Sequence, residues 1–127
     1  MDTIEDLQAL VTEIAQTVDF NATVNIYLPA VTYEGGMVLP GHAVNLYGST
    51  EGEARTAFTG TTQVTHSQWG ISYFYDIDFI GNGTGVLLEW VPSDQTLVFN
   101  DCLFSRNGTD IDNRCGQAVD ITEAVFE

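Results

Sequence analysis

Lysine is absent from this chain, and only three arginines stand against 18 acidic residues. A formal net charge of −15 at pH 7 repels phosphate-rich surfaces, which excludes nucleic acid and anionic membranes as partners. Long apolar runs are missing too, and none approaches the roughly 20 residues of a membrane span. Acidic residues follow Met1 at once, so no secretory signal is expected there. Cysteine occurs twice, as Cys102 and Cys115, and the two distant histidines, His42 and His66, give no metal-ligand spacing with them. Neither histidine has a Ser or Cys nucleophile signature beside it. Proline is rare (3) and glycine frequent (12), a balance that suits many short strands joined by tight corners. The 44% hydrophobic content excludes disorder, and 127 residues suffice for one core.

What is present is a segment that repeats itself. Phe74-Tyr75-Asp76-Ile77-Asp78-Phe79-Ile80-Gly81-Asn82-Gly83-Thr84 returns 25 residues later as Phe99-Asn100-Asp101-Cys102-Leu103-Phe104-Ser105-Arg106-Asn107-Gly108-Thr109. A third copy starts near Ile121, and Val44-Asn45-Leu46-Tyr47-Gly48 matches Ile77 to Gly81 at an offset of 33. A fixed period in this range reads as stacked structural units. In that alignment Val44, Ile77, Cys102 and Ala124 share one inward position. Leu46, Phe79, Phe104 and Phe126 share a second and are expected in a single file. Equivalent side chains on neighbouring parallel strands lie about 4.7–4.9 Å apart, so each file is a ladder.

Residues 2–18 read as an amphipathic helix, with Ile4, Leu7, Val11, Ile14 and Val18 on one face. Asp2 with Glu5 has the form of a capping box. Strands are expected at Val24-Asn25-Ile26-Tyr27-Leu28, Met37-Val38-Leu39-Pro40, Ala43 to Tyr47, Trp69 to Ile80, Gly85 to Val91, Thr96 to Phe104 and Gly116 to Phe126. Glu51 to Thr62 is polar and small, and reads as a longer excursion or an irregular strand.

The run from the helix through Val24-Asn25-Ile26-Tyr27-Leu28, Val31-Thr32-Tyr33-Glu34-Gly35, Val38-Leu39-Pro40 and Val44-Asn45-Leu46-Tyr47-Gly48 resembles the opening of pectinesterases and other pectate-lyase-like proteins. The resemblance spans about Ile4 to Phe126. It implies an all-β fold: a short right-handed parallel β-helix, a solenoid of about four coils, with an N-terminal capping α-helix. The expected organisation is a capping helix at 1–20 and coils at 21–127, cut short at the C-terminal end. The activity is carried less far. Gly116-Gln117-Ala118-Val119-Asp120 is similar to the pectinesterase stretch that supplies an oxyanion-holding glutamine, so Gln117 is the one position that carries over. The family's Gln-Asp-Thr-Leu motif is absent, and the chain stops seven residues after Asp120.

Pectate lyases in that superfamily use calcium, which makes calcium the cofactor to look for. It takes six to eight oxygens, and three places offer acids, of which Asp76 and Asp78 form a pair only if no corner falls between them. Asp76, Asp101 and Glu123 occupy one repeat position and would stack. Like charges on neighbouring strands destabilise a sheet, so that column either faces water at a bend, holds a cation, or carries a protonated carboxyl. Asp110 and Asp112 beside Asn113 have the spacing that opens a calcium loop, and equally that of an Asx-rich turn. For carbohydrate, the candidates are the aromatics Trp69, Tyr73, Tyr75 and Trp90, with Tyr27, Tyr33 and Tyr47 also alternating with core positions. Outward rings can stack on sugar faces, or simply cover a sheet. Cys102 is expected as a buried, inert thiol.

The function these features indicate is a non-catalytic module of a secreted or surface protein, binding glycan or acting as a spacer. A fragment of a divergent pectin-active esterase or lyase is the alternative. An uncapped last coil would also allow end-to-end self-association.

Overall fold

The helix needs a cap before it needs a core, and Thr3 supplies it. Its Oγ1 accepts from the Asp6 N–H at 3.2 Å, satisfying one of the unpaired amides of the first turn. Thr3, rather than Asp2, is therefore the cap of α1 (Ile4–Thr17). The apolar spacing does what it predicts: Ile4, Leu7, Val11 and Ile14 are buried. A computed structural model describes residues 2–18, 22–39, 44–50, 54–64, 73–89 and 96–127. The strands after α1 are β1 (Val24–Tyr27), β2 (Thr32–Tyr33), β3 (Met37–Leu39), β4 (Val44–Tyr47), β5 (Thr56–Phe58) and β6 (Thr62–Val64). They continue as β7 (Tyr73–Tyr75), β8 (Ile77–Ile80), β9 (Thr84–Leu88), β10 (Leu97–Ser105), β11 (Thr109–Asn113) and β12 (Val119–Phe126). No helix among the described residues is long and apolar enough to cross a membrane.

Among the described residues all the strand pairs are parallel, and they fall into two sheets. One has eight strands, in the order β1-β4-β7-β10-β8-β5-β2 with β12 also on β10; the other has four, β11-β9-β6-β3. The long β10 joins the two runs of the larger sheet. Its Phe99 and Asn100 pair with β7, and its Leu103, Phe104 and Ser105 pair with β8. Between those halves the backbone bends, with Asp76 and Asp101 at φ of 58° and 53°. This left-handed region is one that Asp tolerates better than most residues.

The fold class expected from the sequence, all-β with a right-handed parallel β-helix, is corrected. The chain is one helix plus parallel strands in two sheets, a curled half-barrel of α/β class. The helix decides the class, because its four buried residues belong to the same apolar cluster as those of both sheets. The solenoid, the repeat and the pectin-lyase-like description fall with that correction. The period of 25 is real as a strand register, since it pairs Phe74 with Phe99 and Phe79 with Phe104. Register fixes which residues are neighbours, not how the strands divide between sheets.

The single file expected through the interior is corrected as well. Leu46 pairs with Phe74, which pairs with Phe99. The ring missing from the other file is Phe58, so the row runs Tyr33, Phe58, Phe79, Phe104, Phe126. Successive centroids are 5.2, 5.9, 4.9 and 4.9 Å apart, all stacked, within the range where aromatic pairs attract beyond their buried area. Phe126, the last ring, is 42% exposed rather than internal. The offset of 33 misaligned the chain because β5 lies in the polar stretch 51–62, where only Ala57 and Phe58 are apolar strand residues.

Candidate functional site

Parallel register places like beside like on the outer face as well as inside. Tyr27 of β1 pairs with Tyr47 of β4, and Tyr47 pairs with Tyr75 of β7. The rings stack, with centroids 4.9 and 4.6 Å apart and planes tilted by 16° and 6°. Tyr27, at the end of the row, is 72% exposed; Tyr47 and Tyr75 are half-buried. Tyr73 lies two residues before Tyr75, on the same face, and pairs with Asn45. Beside it the Asn45 Nδ2 donates to Asn25 Oδ1 at 3.0 Å. The Tyr75 hydroxyl is held above its ordinary pKa, by burial first and then by the neighbouring Tyr47 and Tyr73.

This geometry changes what the tyrosines can offer. The faces of Tyr47 are both covered, one by Tyr27 and one by Tyr75. A flat aromatic platform is therefore not what the row presents. It presents one ring face, at Tyr27, and a line of hydroxyls at strand spacing, each able to donate and accept. Of the sugar-binding candidates, Tyr75 belongs to the row and Tyr73 adjoins it, while Trp69 and Trp90 lie outside the described residues, as do His42 and His66. Tyr33 is fully buried and belongs to the core row. Tyr27 and Tyr47 carry the exposed end, and the signal that marks them in the sequence is their common place after an apolar residue in Ile26-Tyr27 and Leu46-Tyr47.

The acids are distributed differently. Asp76 and Asp101 sit at the bend and Glu123 pairs with Asn100; Asp101 and Glu123 are exposed and Asp76 half-buried. Among the described residues, no group of three or more His, Cys, Asp or Glu side chains is placed to hold a metal ion. Asp110 Oδ1 accepts from Asn107 Nδ2 at 3.0 Å, and Asp112 pairs with Arg114 at 3.1 Å. Asn113 bonds both the N–H and the carbonyl of Gln117. The Asx-rich turn expected at these acids is corrected: Asp110 and Asp112 lie on strand β11, paired in parallel with β9, and only Asn113 braces a turn, the one that leads to Gln117. Gln117 is buried, and its Nε2 donates to the neighbouring Ala118 carbonyl at 3.1 Å.

No family model, curated protein or solved structure matches this chain.

The resemblance to pectinesterases thus rests on its sequence motifs alone. One residue that the sequence did not mark out is Arg55. Its Nε donates to Asp78 Oδ1 at 2.8 Å, and its Nη2 to the Asp101 carbonyl at 2.9 Å. Asp78 is 6% exposed, and a buried carboxylate needs such a partner. Among the three arginines of the chain, this one ties β8 to the β10 bend. On the helix side, an open groove of about 750 Å³ runs between α1 and the β2–β3 turn, edged by Glu5, Glu13 and Glu34. Among the described residues, nothing cationic lines it.

Proposed function

We propose that the chain is a non-catalytic binding module of a secreted or cell-surface protein, and that its outer tyrosine row receives a neutral glycan. The observation that carries this reading is the ring of Tyr27, 72% exposed and, among the described residues, stacked only on Tyr47. A sugar ring set against its open face would gain apolar contact, while the hydroxyls of Tyr47 and Tyr75 would lie along the next residues of the saccharide. The charge of −15 selects against uronic-acid polymers and leaves neutral saccharides as ligands. Catalysis is not part of the proposal: Gln117, the one position similar to an esterase's oxyanion glutamine, spends its amide on Ala118 O.

The test is calorimetric titration of the intact chain with neutral oligosaccharides chosen from an array. Binding that is lost on Tyr27→Ala and kept on Tyr27→Trp supports the reading. Affinity unchanged by Tyr27→Ala, or saccharide turnover by the isolated chain, would overturn it.

A further inference from the structure

We propose that β12 is a docking edge for an extended, basic strand of a partner protein. β12 pairs with β10 along one edge, and the described residues place no strand along the other. The Glu127 N–H donates to the Phe104 carbonyl at 2.8 Å. In a parallel ladder alternate residues turn their amides to the same side, so Val125 and Glu127 face β10. Ala124 and Phe126 therefore turn their N–H and C=O groups outward. An unpaired strand edge of this kind is a template for strand addition.

The side chains agree with the backbone. Ile121, Val125 and Phe126 are 41%, 56% and 42% exposed, and they make up three of the five large apolar side chains exposed among the described residues. Phe126 is the last of five stacked rings. Its inner face lies on Phe104 at 4.9 Å, 8° from parallel, and an apolar residue of an added strand would continue the row.

Charge selects the occupant. β12 and its flank carry Asp120, Glu123 and Glu127, and Asp101 stands on the adjoining strand. Glu123 pairs with Asn100, beside Asp101 at the bend, so a lysine or arginine on an added strand would meet a local cluster of acids rather than a neutral edge. A second copy is the poorer occupant. The Gln8 carboxamide closes the β3 edge, accepting from Val38 N–H at 2.7 Å and donating to Val38 O at 2.9 Å, and pairing through the β1 or β2 edge of the larger sheet would still set a second chain of −15 against Asp120, Glu123 and Glu127. Pairing β12 with β12 would bring together Asp120, Glu123 and Glu127 of two chains that each carry −15.

The experiment titrates the intact chain with a synthetic peptide alternating Arg with Phe or Val, and with the same peptide N-methylated on alternate amides. N-methylation removes strand pairing and keeps the charge. The expected result is at least about tenfold weaker binding of the methylated peptide, with hydrogen-exchange protection of the Ala124 and Phe126 amides by the unmodified one. Phe126→Ser should weaken binding by a similar factor. Equal affinity of the two peptides, which is charge adsorption alone, would overturn the proposal. So would absence of binding, or a sedimenting dimer in which those two amides are already protected.

Discussion

Cys102 and Cys115 show how position, not chemistry, sets a residue's behaviour. Both are free thiols. Cys102 is buried, with Sγ 3.6 Å from the Phe74 carbonyl and 3.5 Å from that of Asn100, and burial pushes its thiol up to about 12. Reactivity follows the thiolate, so iodoacetamide at pH 8 should alkylate the exposed Cys115 and spare Cys102. Intact-mass measurement is expected to show one adduct on the native chain and two in urea; two on the native chain would contradict the buried site. The sequence allowed this reading of Cys102, because Val, Ile and Ala stood at the positions aligned with it. It was silent on Arg55, since an arginine in a polar stretch carries no periodicity, and its partner Asp78 lies 23 residues away.

At the scale of elements, the tight place is where two turns cross. A Cβ built on Gly60 would lie 2.0 Å from the Gly35 carbonyl carbon and 2.4 Å from Gly36 N. Both obstacles are backbone and cannot swing aside. Around this crossing the Thr59 N–H donates to Tyr33 O, and the Met37 N–H to Thr61 O, each at 3.0 Å. Gly60→Ala should therefore separate β2 from β5 and β3 from β6, costing about 3 kcal/mol by the scale of overpacked cores. Urea denaturation measures it, and a midpoint equal to wild type would refute the contact. Helix α1 was legible because its apolar spacing matches one helical face. β10 and β8 were legible because they repeat. β5 was not, since a three-residue strand holding one threonine and one alanine beside Phe58 carries too little alternation to be distinguished from a loop. The row of rings was consequently one member short and wrongly joined to Leu46. The tyrosine row was legible only as outward aromatics; that the rings would cover one another's faces depends on the pairing of β1 with β4 and β4 with β7.

For the whole molecule, the buried groups predict an alkaline limit to stability. Burial raises the Cys102 thiol from 9.0 to about 12. It also raises the Tyr33 hydroxyl from 10.0 to about 12, with the Asp2 charge adding to it. Both folded values lie above the unfolded ones. Their contribution is therefore intact below about pH 9 and is lost progressively as pH rises toward 12. The urea midpoint should stay level from pH 7 to about 9 and fall beyond it, and Cys102→Ala should delay the fall to about pH 10, where the raised tyrosine hydroxyls, Tyr33 and Tyr75, remain. A midpoint that holds to pH 12 would be inconsistent with the burial of both groups. What the amino-acid sequence determined by itself was local or periodic: the helix and its buried face, the 25-residue register of β7 and β8 on β10, the acidity, and the inward place of Cys102. What only the tertiary structure decided was the division of parallel strands between two sheets, the union of α1 with them in one core, the pairing of Arg55 with Asp78, and the edge of β12 along which the described residues place no strand. The physical reason is that periodicity records which face of a strand meets apolar surface, whereas sheet membership and edge closure depend on contacts between residues far apart in the chain, which no local pattern encodes.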